Sequence, residues 1–261
     1  MELKFVLISV VGIFVALTIV VLFITFNSHK NKLIQENLED ALKNQKRQHE
    51  LELKALRSQM NPHFVHNSLN AIQYYIQQND VETSEEYLAK FSKLMRQFFD
   101  FSRQKTISLT EEISLLNNYL YIEKLRFEDK INYTIEIDDN LDPEEEQIPA
   151  MLLQPIVENA VNHGLFHKKG SGEIKISFKY INENSFRVII EDDGIGINAS
   201  KAMKSTIKKA HKSHSSAVLE ERINFLNQSN TPLIINFSIE DLSEKDNNKT
   251  GTLVSLTFKQ Q

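Results

Sequence analysis

Between Phe5 and Phe26 the chain runs for twenty-two residues (FVLISVVGIFVALTIVVLFITF) without a single charge. Wound as a helix at 1.5 Å per residue, such a run spans roughly 33 Å, enough for a bilayer core. A cleaved leader would carry a shorter apolar region, about 7–15 residues, and a small-residue cleavage site. Neither is present, so a retained, single membrane-spanning helix is predicted. Glu2 and Lys4 cancel ahead of it, whereas Lys30, Lys32, Lys43, Lys46 and Arg47 follow. That basic excess assigns the remainder to the cytoplasmic side of a cell membrane. With only Met1–Lys4 in front, almost nothing is expected on the outer side to bind a ligand.

The rest of the 261 residues is ordinary in texture, 41% hydrophobic and 25% charged, which excludes a wholly disordered chain and suits one or two packed cores. Cysteine is absent, so disulfides, thiolate zinc sites, iron–sulfur clusters and thiol catalysis are excluded. A net charge of −5 argues against direct binding of nucleic acid, which needs a basic surface.

Four segments follow from the patterning: a membrane anchor at 1–27, a helical linker at 28–55, a helical region at 56–128 and an α/β domain at 129–261. The linker is free of Gly and Pro, and its leucines recur at loosely helical spacing with a lapse around Lys43–His49. It reads as a paired helix or a solvated single one. Two helices are predicted next, Leu56–Gln78 with a kink at Pro62, and Ser84–Gln104. Their one-sided apolar faces suit a hairpin that two copies of the chain would bury as a four-helix bundle. Thr110-Glu111-Glu112 opens a third helix, to about Phe127. Beyond Lys130, strands are predicted at Ile131–Ile137, Glu173–Tyr180, Ser185–Glu191, Leu233–Ile239 and Thr252–Phe258. Helices are expected at Pro149–Phe166 and Ser216–Gln228. The fold class is thus an N-terminal transmembrane helix, a helical hairpin, and an α/β sandwich with helices over one sheet face.

Three short runs carry chemistry. In Asn61-Pro62-His63-Phe64-Val65-His66-Asn67-Ser68-Leu69-Asn70, helical spacing brings His63, Asn67 and Asn70 to one face, with His66 close by. The two histidines could hold a metal ion, but no third ligand stands nearby in sequence. In Gln154-Pro155-Ile156-Val157-Glu158-Asn159-Ala160-Val161-Asn162-His163-Gly164, Asn159 and His163 lie one turn apart on a helix that Gly164 is expected to end. An amide oxygen there suits Mg²⁺ and an imidazole N–H suits phosphate. In Glu191-Asp192-Asp193-Gly194-Ile195-Gly196, a carboxylate at a strand end can accept from an exocyclic amine while glycines admit a planar base.

Taken in order, these runs resemble the motifs of the LytS/YehU-type sensor histidine kinases, from about Leu51 to Phe258. NPHFVHNSLN looks like that family's phosphoacceptor box, LLQPIVENAVNHGL like its asparagine box, and EDDGIGI like its adenine-binding glycine box. Tyr121–Phe127 is similar to the helix that precedes the catalytic domain. The resemblance implies a dimerisation and phosphoacceptor region followed by a Bergerat-type (GHKL) ATP-binding sandwich. His63 would attack the γ-phosphorus of ATP, Asn159 would ligate Mg²⁺, and Asp192 would bind the adenine amine. Gly194, Gly196, Gly251 and Thr252 would shape the nucleotide site, with His163 and Glu158 in support. Asn67 would orient water in any phosphatase reaction. The phosphoryl group would pass to an aspartate of a response regulator, in this family often one with a LytTR domain. The remaining implied partners are a second copy of the chain and membrane lipid.

Departures from the family pattern leave a second class of function open: a nucleotide-binding scaffold, weak or inactive in catalysis, that regulates a partner. The ATP lid lacks the family's Gly-x-Gly-Leu and reads Ser213-His214-Ser215-Ser216-Ala217 before Glu221-Arg222-Ile223. Lys201, Lys204, Lys208, Lys209 and Lys212 read as a solvated loop. His66 replaces an apolar residue and reads as a packing substitute, a tuner of His63 or a rival acceptor. Asp193 reads as a solvated turn residue.

Overall fold

The computed structural model describes residues 62–127, 130–206, 214–228, 233–246 and 249–260, with Leu22 and a few helical residues between 27 and 39. The uncharged run at Phe5–Phe26 lies outside them except for Leu22, as do most of the linker and residues 56–61, the part of the expected Leu56–Gln78 helix that precedes Pro62. Among the described residues no helix is long and apolar enough to cross a membrane. The chain divides into two compact units, Met1–Gln59 and Met60–Gln261. The second carries both the helical hairpin and the sheets.

Helix α1 is described over Pro62–Gln77. Its buried residues, Phe64, Ser68 and Ile72, fall at intervals of four and form one stripe. A short turn leads to α2 (Val81–Phe101), capped by the Asp80 carboxylate, which accepts from the Thr83 N–H at 3.1 Å. The third helix, α3 (Leu109–Arg126), starts earlier than Thr110: Ser108 caps it and Glu111 completes the capping box.

The buried stripe of the hairpin is covered within the chain. Helix α3 of the same chain packs against it. Phe64 meets Tyr119 at a ring separation of 5.2 Å, and the Tyr75 hydroxyl donates to the Leu125 carbonyl at 2.9 Å. Asn118 donates to Gln97 at 2.7 Å, and Gln97 in turn to Ser114 at 3.0 Å. Leu69, Tyr74, Ile76, Leu88 and Phe99 remain exposed on the outer faces.

Two strands too short to show alternation, β1 (Thr106–Ser108) and β3 (Gln147–Pro149), pair antiparallel across the base of α3. The main sheet has the order β2-β4-β5-β7-β6. Its strands are β2 (Ile131–Ile137), β4 (Gly172–Asn182), β5 (Ser185–Asp192), β6 (Leu233–Asp241) and β7 (Thr252–Gln260). The first pair is parallel and the rest antiparallel. In β5, Phe186, Val188 and Ile190 alternate onto the buried face, opposite Phe258, Leu256 and Val254 of β7. The Phe186 and Phe258 rings stack at 4.8 Å.

Where one helix is expected over Pro149–Phe166, Pro149 instead ends β3. A turn at 150–153 then leads into α4 (Gln154–Asn159), with Pro155 in its first turn. The helix continues as a π-helical segment, Ala160–Leu165, so Gly164 does not end it. Sequence patterning leaves α5 (Gly196–Thr206) unread, and the lysine-bearing stretch around Lys201 and Lys204 is helical. The last helix, α6 (His214–Gln228), follows residues 207–213, which lie outside the described residues with Lys208, Lys209 and Lys212.

Candidate functional site

The period of two that buries Ile190 also carries Asp192 to the core side of the sheet, where it is only 4% exposed. Burial pushes its carboxyl up to about 7, and the negative charge of Asp193 adds to that, against bonds from the Gly194 N–H and from Thr252. The Gly194 N–H donates to Asp192 Oδ1 at 3.0 Å.

Glycines from three segments close on the backbone and carboxylate of this strand end. A Cβ on Gly164 would lie 2.5 Å from Asp192 Oδ1, and one on Gly194 would lie 2.3 Å from the backbone of Gly164. Gly251, at φ +127°, would place a Cβ 1.9 Å from the Asp192 carbonyl oxygen. No side chain fits at these points, and the Gly251 conformation is itself one that L residues avoid. The glycine expected to end a helix thus serves as the floor of a close backbone crossing, tied by the Ile195 N–H donating to the Gly164 carbonyl at 3.2 Å.

Asn159 closes α4 and His163 stands one turn on, within the π-helical segment. Both are half-buried. Such wide turns inside α-helices are frequent at functional sites. Asn159, His163 and the Asp192 corner therefore belong to one helix and the strand ends it crosses. Gly196, at φ +80°, opens α5 beside Asp241.

His63 and Asn67 lie elsewhere, on the solvent side of α1. The Asn67 amide nitrogen stands 3.2 Å from His63 Nδ1 and 3.3 Å from Nε2, so it can donate to whichever ring nitrogen lacks a proton. The pattern repeats one step along: Asn70 Nδ2 lies 3.1 Å from His66 Nδ1. His66 is exposed within the chain, so it does not pack into this chain's own core. Phe64, by contrast, is buried against Tyr119 and anchors the helix.

Residues 51–131 match the histidine kinase family. Over 152 residues the chain is 38% identical to the uncharacterized protein YwpD of Bacillus subtilis, covering 58% of this chain and 53% of that protein. It is 35% identical over 147 residues to the sensor histidine kinase YpdA of Escherichia coli, covering 56% of this chain and 25% of YpdA. It is 33% identical over 150 residues to the sensor histidine kinase/phosphatase LytS of Staphylococcus aureus, covering 58% of this chain and 25% of LytS. The chain resembles the LytS-type sensor histidine kinases. It spans about half the length of YwpD and a quarter of the other two.

In this LytS-like chain three site-supporting groups escape a reading by motif. Asp241 accepts from the Asn198 N–H at 2.8 Å and from Ser243 N and Oγ at 3.0 and 2.6 Å, fixing the start of α5. Burial alone would raise its carboxyl, but these bonds outweigh it and the net shift is downward. The signal was present as Asp-Leu-Ser, an Asx turn. Asp193 is not simply solvated: it accepts from the Glu173 N–H at 2.8 Å and pairs with Lys168 at 2.7 Å. Glu112, read from the sequence only as part of a helix start, is fully buried and reaches the turn before α4.

Proposed function

We propose that the chain is a membrane-anchored sensor histidine kinase of a two-component system, which phosphorylates His63 from ATP and passes the phosphoryl group to an aspartate of a response regulator. The observation that carries this reading is the buried Asp192 carboxylate against Gly164, at the strand end where Gly194 and Gly251 cross the backbone. A desolvated acceptor beside side-chain-free backbone suits the exocyclic amine and flat face of adenine. The residues also fit the cation that accompanies the triphosphate. Mg²⁺ is ordinarily held by one or two protein oxygens plus phosphates, and Asn159 supplies one such oxygen. When bound, Mg²⁺ neutralises charge on the phosphate oxygens.

His63 acts as nucleophile through the lone pair of one ring nitrogen. An N–P bond forms to the γ-phosphorus, the P–O bond to ADP breaks, and the proton on the other ring nitrogen is released. The Asn67 amide must swing off that lone pair first. In the second step a regulator aspartate oxygen takes the phosphoryl group, and the N–P bond breaks. LytS is named a kinase/phosphatase; for this chain Asn67 would orient the hydrolytic water. The exposed Leu69, Tyr74, Ile76, Leu88 and Phe99 support pairing of two copies through the hairpin. The uncharged run at Phe5–Phe26 supports a lipid anchor with the rest cytoplasmic.

One observation favours the scaffold reading: no glycine stands between Ser213 and Ile223. Incubation with γ-labelled ATP and Mg²⁺ separates the two. Acid-labile, alkali-stable label that vanishes in His63→Gln is expected. Label that survives the substitution points to His66, and ATP binding without label supports the scaffold.

A further inference from the structure

The turn between β3 and α4 is clamped from both sides by charges that lie far away in sequence. Its N–H groups go to Glu112: Met151 N donates to Oε2 at 2.9 Å and Leu153 N to Oε1 at 2.8 Å. Its carbonyls go to Arg222, whose guanidinium donates to Met151 O at 3.0 Å and Ala150 O at 2.6 Å. Within the turn Met151 holds φ +56°, a conformation a non-glycine residue keeps only when its surroundings impose it. Leu153 caps α4 without a side-chain bond of its own, so the distant carboxylate serves where a capping side chain ordinarily would. Asn159 lies at the far end of that helix. Arg222 lies on α6, which begins directly after residues 207–213.

We propose that Glu112 and Arg222 are positioning residues for nucleotide binding: together they fix the turn that aims the Asn159 helix, and they tie it to the helix that follows the lid and to α3. The inference rests on the nucleotide-binding reading of Asn159 and Asp192. Glu112 leaves the phosphates untouched and acts through the backbone that carries their ligand. A carboxylate meets two N–H donors with two acceptor oxygens, and a two-pronged guanidinium meets two carbonyls. A glutamine at 112 turns one oxygen into a donor that faces a donor. A lysine at 222 keeps the charge and loses the fork.

The test uses the full chain, with Mg·ATP affinity by titration, melting temperature in parallel, and label on His63 at saturating ATP. Glu112→Gln is expected to weaken Mg·ATP binding about tenfold, while label at saturating ATP stays within about twofold of wild type. Arg222→Lys is expected to weaken it by about threefold to tenfold, and it carries the test should Glu112→Gln fail to fold. Asn227→Ala is the control for stability alone. It removes two bonds from the same helix to Ile235. It should lower the melting temperature and leave affinity within about twofold. Wild-type affinity in both Glu112→Gln and Arg222→Lys overturns the inference, as does equal weakening in Asn227→Ala. A wild-type chain that binds no nucleotide overturns the nucleotide reading itself, and this inference with it.

Discussion

The Asp192 corner and the His63 helix are built by opposite means. Asp192 is buried, bonded by backbone and set where glycines from three segments cross. His63 stands in solvent on a single helix and is bonded to Asn67 of that same helix. Under the proposed function, the difference matches two tasks. Holding one ligand calls for fixed complementarity, whereas a group that must meet ATP and then a regulator has to remain accessible to both. Burial surrounds the one side chain, and solvent the other.

The strongest way to break that contrast is a methyl group. Gly251→Ala forces a Cβ to within 1.9 Å of the Asp192 carbonyl oxygen at a positive φ. A loss of roughly 3 kcal/mol or more of stability, by overpacking and backbone strain, is expected in denaturant melts, together with loss of ATP binding. Asp192→Asn comes next. It should cost on the order of 1–3 kcal/mol of ATP affinity by facing an amide donor toward the adenine amine or the Gly194 N–H, as read by titration.

The same carboxylate sets a pH dependence. Burial carries it from an ordinary 3.8 to about 7. Accepting from adenine needs the ionised form, so affinity should rise about tenfold between pH 6 and pH 8. Asp192→Asn should flatten that rise. The sign for stability is opposite. The unfolded chain releases this proton first, so the stability Asp192 contributes is complete below pH 3.8 and is lost as pH rises through about 7. Melting temperatures of wild type and Asp192→Asn across that window check it.

Much of the nucleotide corner was legible because its parts are short contiguous runs: an amide at one turn from an imidazole, an acid followed by alternate glycines. The strands were legible from their period of two. What escaped was assembled across distance. Glu112 and Arg222 meet at a turn 39 and 71 residues away, and nothing local marks either as buried. The β1–β3 pair has three residues a side, too few for alternation to show. The apolar face of the hairpin is legible in the sequence, and its packing against α3 is not, because α3, with its polar surface residues and buried Asn118, gives a weak stripe.

On the other side of the contrast, Asn67→Ala should be nearly silent in the fold, within about 0.5 kcal/mol, since the residue is a partly exposed helical one. Its expected effect is on hydrolysis of the phosphorylated regulator, with label on His63 retained. Loss of label would instead make Asn67 part of the kinase step.

The central claim is that the buried corner binds the nucleotide and the exposed ring receives its phosphoryl group. Measuring both quantities in one variant tests it most directly. His63→Gln should bind Mg·ATP with wild-type affinity and take up no acid-labile label from γ-labelled ATP. Undiminished label in that variant, or a wild-type chain that binds ATP and acquires none, contradicts the account.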